Sequence, residues 1–199
     1  MFVDEIKLSV QSGAGGSGSV SFKKTSSKSS PSGGSGGQGG SVIITVNDEF
    51  NDLSHIISNS SLKAENGTDG NKNFQNGKKG KDLIIEVPKG TIIKVDNEVY
   101  ADLHENKSSF IVLEGSKAGR GNYDLISKRV PNPQFCEHGE KRNKIEIKLT
   151  YSIYSDLVIV GLPNAGKSTL ITKLTNSKAQ IADYEFTTTS PNLGILNNS

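Results

Sequence analysis

Hydrophobic and polar positions alternate in short bursts along the first three quarters of the chain. Ile6, Leu8 and Val10 occupy every second position, and Val20-Ser21-Phe22 follows. Val42-Ile43-Ile44-Thr45-Val46, Leu83-Ile84-Ile85-Glu86-Val87, Thr91-Ile92-Ile93-Lys94-Val95 and Phe110-Ile111-Val112-Leu113 are short β-branched runs, and Ile145, Ile147 and Leu149 alternate again. Seven or eight such strands with Gly and Asn between them predict an all-β sandwich or barrel over residues 1–150. Near Ser155 the pattern changes. Leu157-Val158-Ile159-Val160 reads as a buried strand, and the spacing of Thr169, Leu170, Ile171 and Leu174 gives the apolar stripe of a helix. The boundary divides the chain into a β-domain, 1–155, and the opening of an α/β nucleotide-binding domain, 156–199.

Between that strand and that helix stands Gly161-Leu162-Pro163-Asn164-Ala165-Gly166-Lys167-Ser168, a full G-x-x-x-x-G-K-[ST] phosphate-binding loop. Strand, glycine loop and helix together aim backbone N–H groups and a helix N-terminus at a phosphate chain. Lys167 is placed to reach the β- and γ-phosphates, and the Ser168 hydroxyl to ligate Mg²⁺. A chance match in a chain rich in Gly, Lys and Ser is the bland alternative, and the flanking pattern argues against it.

Ten of the 22 glycines lie in residues 13–40. Gly33-Gly34-Ser35-Gly36-Gly37-Gln38-Gly39-Gly40 keeps a period of three. A Gly/Ser linker needs no phase, whereas three residues per turn is the polyproline II repeat, whose side-chain-free faces pack closely. The phase favours packed glycine helices over a flexible linker, with neighbours supplied by Gly13 to Gly18, Gly67 to Gly80 and Gly115 to Gly121. The exposed N–H groups of such glycine-rich loops also suit phosphate contacts.

Composition narrows the class. The 199 residues are 33% hydrophobic with no Trp, so the core is lean, and a net charge of +2 does not by itself argue a nucleic-acid partner. Cys136 is the single cysteine, which rules out an internal disulfide and fits a reducing, cytoplasmic setting. The acidic opening Met1-Phe2-Val3-Asp4-Glu5 does not read as a signal peptide, and no apolar run approaches a membrane span. Cys136-x-His138 lacks a second ligand pair for zinc, and His55 and His104 stand alone. Lys78-Lys79-Gly80-Lys81 reads either as a solvated hairpin tip or as an RNA contact.

The chain resembles the Obg family of ribosome-associated GTPases over nearly its whole length. The resemblance is carried by Met1-Phe2-Val3-Asp4-Glu5, by Ala64-Glu65-Asn66-Gly67 with Gly70, Gly77, Gly80 and Asp82, by Val87-Pro88-Lys89-Gly90-Thr91, by Gly119-Arg120-Gly121-Asn122 and by the phosphate loop. The most specific match is Ile181-Ala182-Asp183-Tyr184-Glu185-Phe186-Thr187-Thr188-Thr189-Ser190-Pro191-Asn192-Leu193-Gly194, which looks like the family's switch I. The resemblance implies a β-barrel carrying packed glycine-rich polyproline II helices, followed by the first part of a P-loop GTPase domain. It implies GTP hydrolysis with Mg²⁺ held by Ser168 and Thr188, nucleotide contacts from Phe186, Thr187, Thr188, Thr189 and Ser190, and a role in large ribosomal subunit assembly and stress response. Partners so implied are GTP or GDP and the rRNA and proteins of the large subunit, for a monomeric protein. In related GTPases with the Pro-Asn-Ala-Gly-Lys-Ser stretch, an asparagine at the position of Asn164 helps hold K⁺.

Two departures bear on the glycine packing. Ser35 stands where the family carries an acid, and Ser116-Lys117-Ala118 interrupts a segment usually richer in glycine. The Asp-x-x-Gly and Asn-Lys-x-Asp elements of a guanine-nucleotide domain are not in these residues, so the chain reads as a fragment without turnover of its own and no catalytic residue is assigned. An ATP-using assembly factor or kinase, and a non-catalytic ribosome-binding β-domain, stand as alternatives.

Overall fold

A computed structural model describes residues 3–25, 28–58, 60–96, 98–105, 108–152, 157–162 and 165–175. The chain separates into two compact units, Asp4–Ser152 and Ile153–Ser199, with Met1–Val3 grouped with the second.

The described residues of the first unit form ten strands. They are β1 (Glu5–Gln11), β2 (Phe22–Thr25), β3 (Lys28–Pro31), β4 (Val42–Val46), β5 (Ser61–Lys63), β6 (Leu83–Val87), β7 (Thr91–Val95), β8 (Glu98–Leu103), β9 (Ser109–Leu113) and β10 (Ile145–Tyr151). Ladders join them into a five-stranded sheet β5-β1-β10-β7-β8, a three-stranded sheet β6-β4-β9 and the hairpin β2-β3. None of these sheets closes on itself among the described residues, so the expected barrel is not seen as a continuous ladder. The β1–β5 and β4–β6 pairs are parallel, and the remaining pairs are antiparallel. Register follows the alternation in the sequence: Ile6 faces Leu149 and Leu8 faces Ile147 across β1–β10. These four residues, with Val10 and Ile93, are buried on one sheet, and Val42, Ile44, Val46, Ile85 and Val87 on the other. At ~25 cal/mol per Å² of apolar area this lean core is still the main source of stability. Between β6 and β7 the chain turns at Gly90, whose φ of 89° suits glycine, and the Thr91 hydroxyl donates to Pro88 O at 2.7 Å.

The glycine-rich stretches leave the sheets as six extended segments, 13–19, 33–40, 65–71, 75–81, 115–122 and 137–140, bonded to one another at every third residue. The amides of Gly13, Gly16 and Ser19 donate to Gly40, Gly37 and Gly34, and those of Gly34, Gly37 and Gly40 to Asn71, Thr68 and Glu65. Ser116, Gly119 and Asn122 donate to Gly13, Gly16 and Ser19 in parallel register. This period of three is the polyproline II repeat, and it is the reason for glycine: an added Cβ at Gly16, Gly34, Gly36 or Gly37 would strike a neighbouring backbone carbonyl. The stretch is therefore a packed bundle and not a flexible linker. Both family departures are absorbed. Ser35 Oγ donates to Asp124 Oδ2 and accepts from Gly121 N at 2.9 Å, while Ser116 is fully buried and bonded through its amide.

The second unit contributes α1 (Lys167–Thr175). Leu157–Val160 is not a strand, contrary to expectation, and Leu157, Val158 and Val160 are 62%, 69% and 87% exposed. An apolar run becomes a buried strand only beside neighbours that pair with it and cover it. Among the described residues no strand pairs with this one. Leu170 and Leu174 of α1 are exposed for the same reason.

Candidate functional site

The phosphate loop enters α1 through Gly166, whose φ of 80° lies in the left-handed region and whose Cβ position is open. That conformation brings the backbone round into the first helical turn, where Leu170 N donates to Gly166 O at 3.0 Å. The amides at the start of α1 have no helical acceptor. No acidic residue stands in the first turn and Lys173 stands in the last, which suits an anion at the N-terminus. Thr172 and Thr175 return their hydroxyls to Ser168 O and Ile171 O, both at 2.8 Å, so the helix satisfies its own polar side chains.

Lys167 folds back across the loop. Its Nζ donates to Leu162 O at 2.6 Å, and Ala165 N donates to the same carbonyl at 3.3 Å. The Lys167 stem passes within 3.6 Å of the Cβ position of Gly161. Gly161, Leu162, Ala165, Gly166, Lys167 and Ser168 thus gather in one turn, with the ammonium held over the loop and Ser168 half-buried at the helix start. Pro163 and Asn164, and Phe186, Thr187, Thr188, Thr189 and Ser190, lie outside the described residues. No cluster of three or more His, Cys, Asp or Glu able to hold a metal occurs among the described residues. The donor set nonetheless fits a nucleotide with its Mg²⁺: a lysine ammonium, helix N-terminal amides and one hydroxyl.

The glycine bundle offers a different chemistry from the one expected of it. Every glycine amide from Gly13 to Gly80 and from Gly115 to Gly139 has an acceptor inside the bundle. These glycine N–H groups are therefore committed within the bundle and are not free to contact a phosphate. Lys78-Lys79-Gly80-Lys81 is no hairpin tip but part of segment 75–81, with Lys79 paired to Asp82 at 3.1 Å.

Several residues hold the bundle together in ways that the sequence pattern did not assign. Asn66 and Asp69 accept from Ala14 N and Ser17 N, and Asn76 and Asp82 from Ser35 N and Ser41 N, all at 2.7–2.9 Å. Asx side chains spaced by multiples of three beside glycine runs were the available signal. The Ser41 amide also holds the Asp82 carboxyl below its usual range. Fully buried Asn122 accepts from Gly33 N at 2.8 Å and donates to Ser21 O and Pro133 O. Arg120 grips Glu137 through Nε at 2.9 Å and Nη2 at 2.6 Å, pulling the Glu137 carboxyl down to about 2. Neither histidine is isolated: His55 stacks on Phe50 at 3.8 Å, and His104 lies 2.9 Å from Asp102. Cys136 is a free thiol. No described helix is long and apolar enough to cross a membrane.

Comparison with known families places residues 3–153 on the GTP1/OBG model and residues 156–199 on a model described as 50S ribosome-binding GTPase. The chain is similar to proteins named GTPase Obg: 44% identical to that of Nautilia profundicola over 98% of this chain and 56% of the relative. It is 42% identical to that of Finegoldia magna and 40% to that of Alkaliphilus metalliredigens, each over 98% of this chain and 47% of the relative. The chain thus spans about half the length of these curated relatives.

Proposed function

The chain belongs to the GTP1/OBG family, and from that premise we propose that it serves a GTP-binding and GTP-hydrolysing switch acting on the large ribosomal subunit during its assembly and in the stress response. In this reading residues 1–155 form the subunit-docking domain and 156–199 open the nucleotide domain. The observation that carries it is the turn at Gly166 into α1, which sets Lys167 above a helix N-terminus free of acidic residues. Lys167 exchanges its hydrogen bond to Leu162 O for the phosphates, which match an ammonium in charge and offer more acceptors. The amides at the start of α1 orient the phosphate chain, and Ser168, with Thr188, holds the metal. When bound, Mg²⁺ neutralises charge developing on the transferred phosphoryl group. Thr188 and its neighbours Phe186, Thr187, Thr189 and Ser190 close over the nucleotide, and that ordering couples nucleotide state to subunit docking.

The test is a titration of the protein containing its whole nucleotide domain with fluorescent GTP, competed by ATP. Lys167→Ala removes a charge-assisted bond of about 2–3 kcal/mol, so affinity should fall roughly 30- to 150-fold. Unchanged affinity refutes the site. Preferential displacement by ATP would instead favour an ATP-using assembly factor.

A further inference from the structure

We propose that the free edge of β6 is a docking groove for an extended peptide carrying alternating branched aliphatic side chains and one basic residue. The inference starts from a break in alternation. Outward positions of a half-buried sheet are normally polar, yet Ile84, Ile43 and Ile111 lie side by side across β6, β4 and β9 on its outer face. Ile84 and Ile111 are 60% and 52% exposed, and nearby Ile57 is 79% exposed. Ile57 and Ile84 also line a cleft of about 610 Å³ whose other walls include Leu62 of β5, Leu83, His55 and Glu86. Exposed aliphatic surface of this kind marks an interaction site.

The backbone says what shape the occupant has. Among the described residues β6 has one ladder neighbour, β4. Leu83 N donates to Ser41 O and Val87 O accepts from Asn47 N, so odd-numbered residues turn their backbone groups toward β4. Ile84 and Glu86 therefore turn theirs away, into the cleft. His55 Nε2 bonds Glu86 O at 2.8 Å, which fixes that direction independently. Ile84 N–H, Ile84 C=O and Glu86 N–H remain as a strand-adding edge, stopped at one end by His55. Only an extended chain complements such an edge while setting one side chain beside Ile84 and the next on the same face beside Glu86. Charge sets the last feature. Glu86 is exposed, has no ion pair among the described residues and is the one acid lining the cleft. Its side chain shares the face of Ile84, so a Lys or Arg two residues from the partner's aliphatic side chain meets it.

The experiment uses fluorescence polarisation on the full-length protein with labelled Ser-Val-Thr-Ile-Thr-Arg-Ser as probe. Saturable binding with a Kd of about 100 μM or tighter is expected. Ile84→Asp and Ile57→Asp, both at exposed positions, should each weaken it at least tenfold without lowering the melting temperature. Replacing the peptide's isoleucine by proline, which cannot donate to an edge, should do the same. Replacing its arginine by glutamate should weaken binding at low salt, with the difference closing in 1 M NaCl. Absence of saturable binding up to 1 mM overturns the proposal, as does equal binding of the proline peptide or by the Ile84→Asp protein. Light scattering that shows a dimer abolished by Ile84→Asp would also overturn it, by seating a second copy in the groove.

Discussion

Gly37→Val and Gln38→Val, adjacent changes to the same residue, should have opposite consequences. Gly37 sits inside the bundle, where a Cβ would meet the Lys78 carbonyl and come within 2.9 Å of the Gly77 carbonyl carbon, against the 3.4 Å of ordinary contact. Both obstacles are backbone and cannot rotate away. Segment 33–40 must therefore back off from segment 75–81, breaking two backbone bonds that tie them there beside the Ser35 N to Asn76 Oδ1 contact, Gly77 N to Ser35 O at 2.8 Å and Gly80 N to Gln38 O at 2.9 Å. Two backbone bonds at ~1 kcal/mol each, plus ~1–3 kcal/mol of overpacking strain, give about 3–5 kcal/mol. For a unit of this size each kcal/mol moves the melting temperature by ~2–4 °C, so Gly37→Val should melt roughly 6–20 °C lower. Gln38 is exposed, and its side chain makes one long bond, to Gly115 O at 3.4 Å. Its replacement should stay within ~0.5 kcal/mol of the parent. Thermal melting followed by circular dichroism measures both. If the two variants melt together, the glycine phase has no structural meaning and the reasoning fails.

The Arg120 guanidinium pulls the Glu137 carboxyl from its ordinary 4.5 down to about 2, so its contribution to stability is full above pH 4.5 and lost as pH falls toward 2. The melting-temperature gap between parent and Glu137→Gln should accordingly shrink across that window, and a gap independent of pH would refute the assignment. In the protein with its whole nucleotide domain, GTP hydrolysis should run faster in K⁺ than in Na⁺, with Asn164→Ala removing the difference; identical rates in both salts end that idea. The 199-residue chain should sediment with purified large ribosomal subunits at low salt and release them as salt rises. Its staying in the supernatant at low salt would reduce the β-domain to a scaffold.

The strands that the sequence disclosed are those whose side chains choose a face. β4, β6 and β7 run over the residues expected of them, 42–46, 83–87 and 91–95, because β-branched residues crowd them. β3, β5 and β8 were missed: β3 is lysine and serine before a proline, β5 is three residues long, and β8 carries Glu98 and Asp102 at a sheet edge. Strands that bury few side chains leave little record in their composition. The glycine bundle was legible because close packing forbids Cβ at fixed intervals, a constraint written directly into residue type. Segment 137–140 escaped because it has a single glycine, Gly139, whose Cβ position abuts Gly15 O. The phosphate loop was legible as a motif, yet Leu157, Val158 and Val160 before it are exposed. Hydrophobic pattern encodes burial against neighbours, and a run without them stays open.

The committed glycine amides change what the bundle is for. A surface rich in unbonded N–H groups would bind phosphates wherever it met them. Here each glycine amide is matched to a neighbouring carbonyl or side chain, and bonds recur at every third residue along segments such as 33–40. At ~3.1 Å per residue those eight residues extend roughly 25 Å. Extended backbone without cross-links is pliant, but six segments tied to one another in this way move as one body. The glycines therefore supply stiffness and reach, and the subunit docking proposed above would draw on the side chains that the bundle and the β2–β3 hairpin display. Lys23, Lys24 and Lys28 on β2–β3 are exposed and close in sequence. A local basic cluster of this kind needs no large net charge, so a +2 balance is compatible with the RNA-rich partner proposed above. Replacing these lysines with serine should flatten the salt dependence of subunit binding while leaving the melting temperature in place. Were a glycine substitution to abolish binding without loosening the bundle, the amides would be the contact after all.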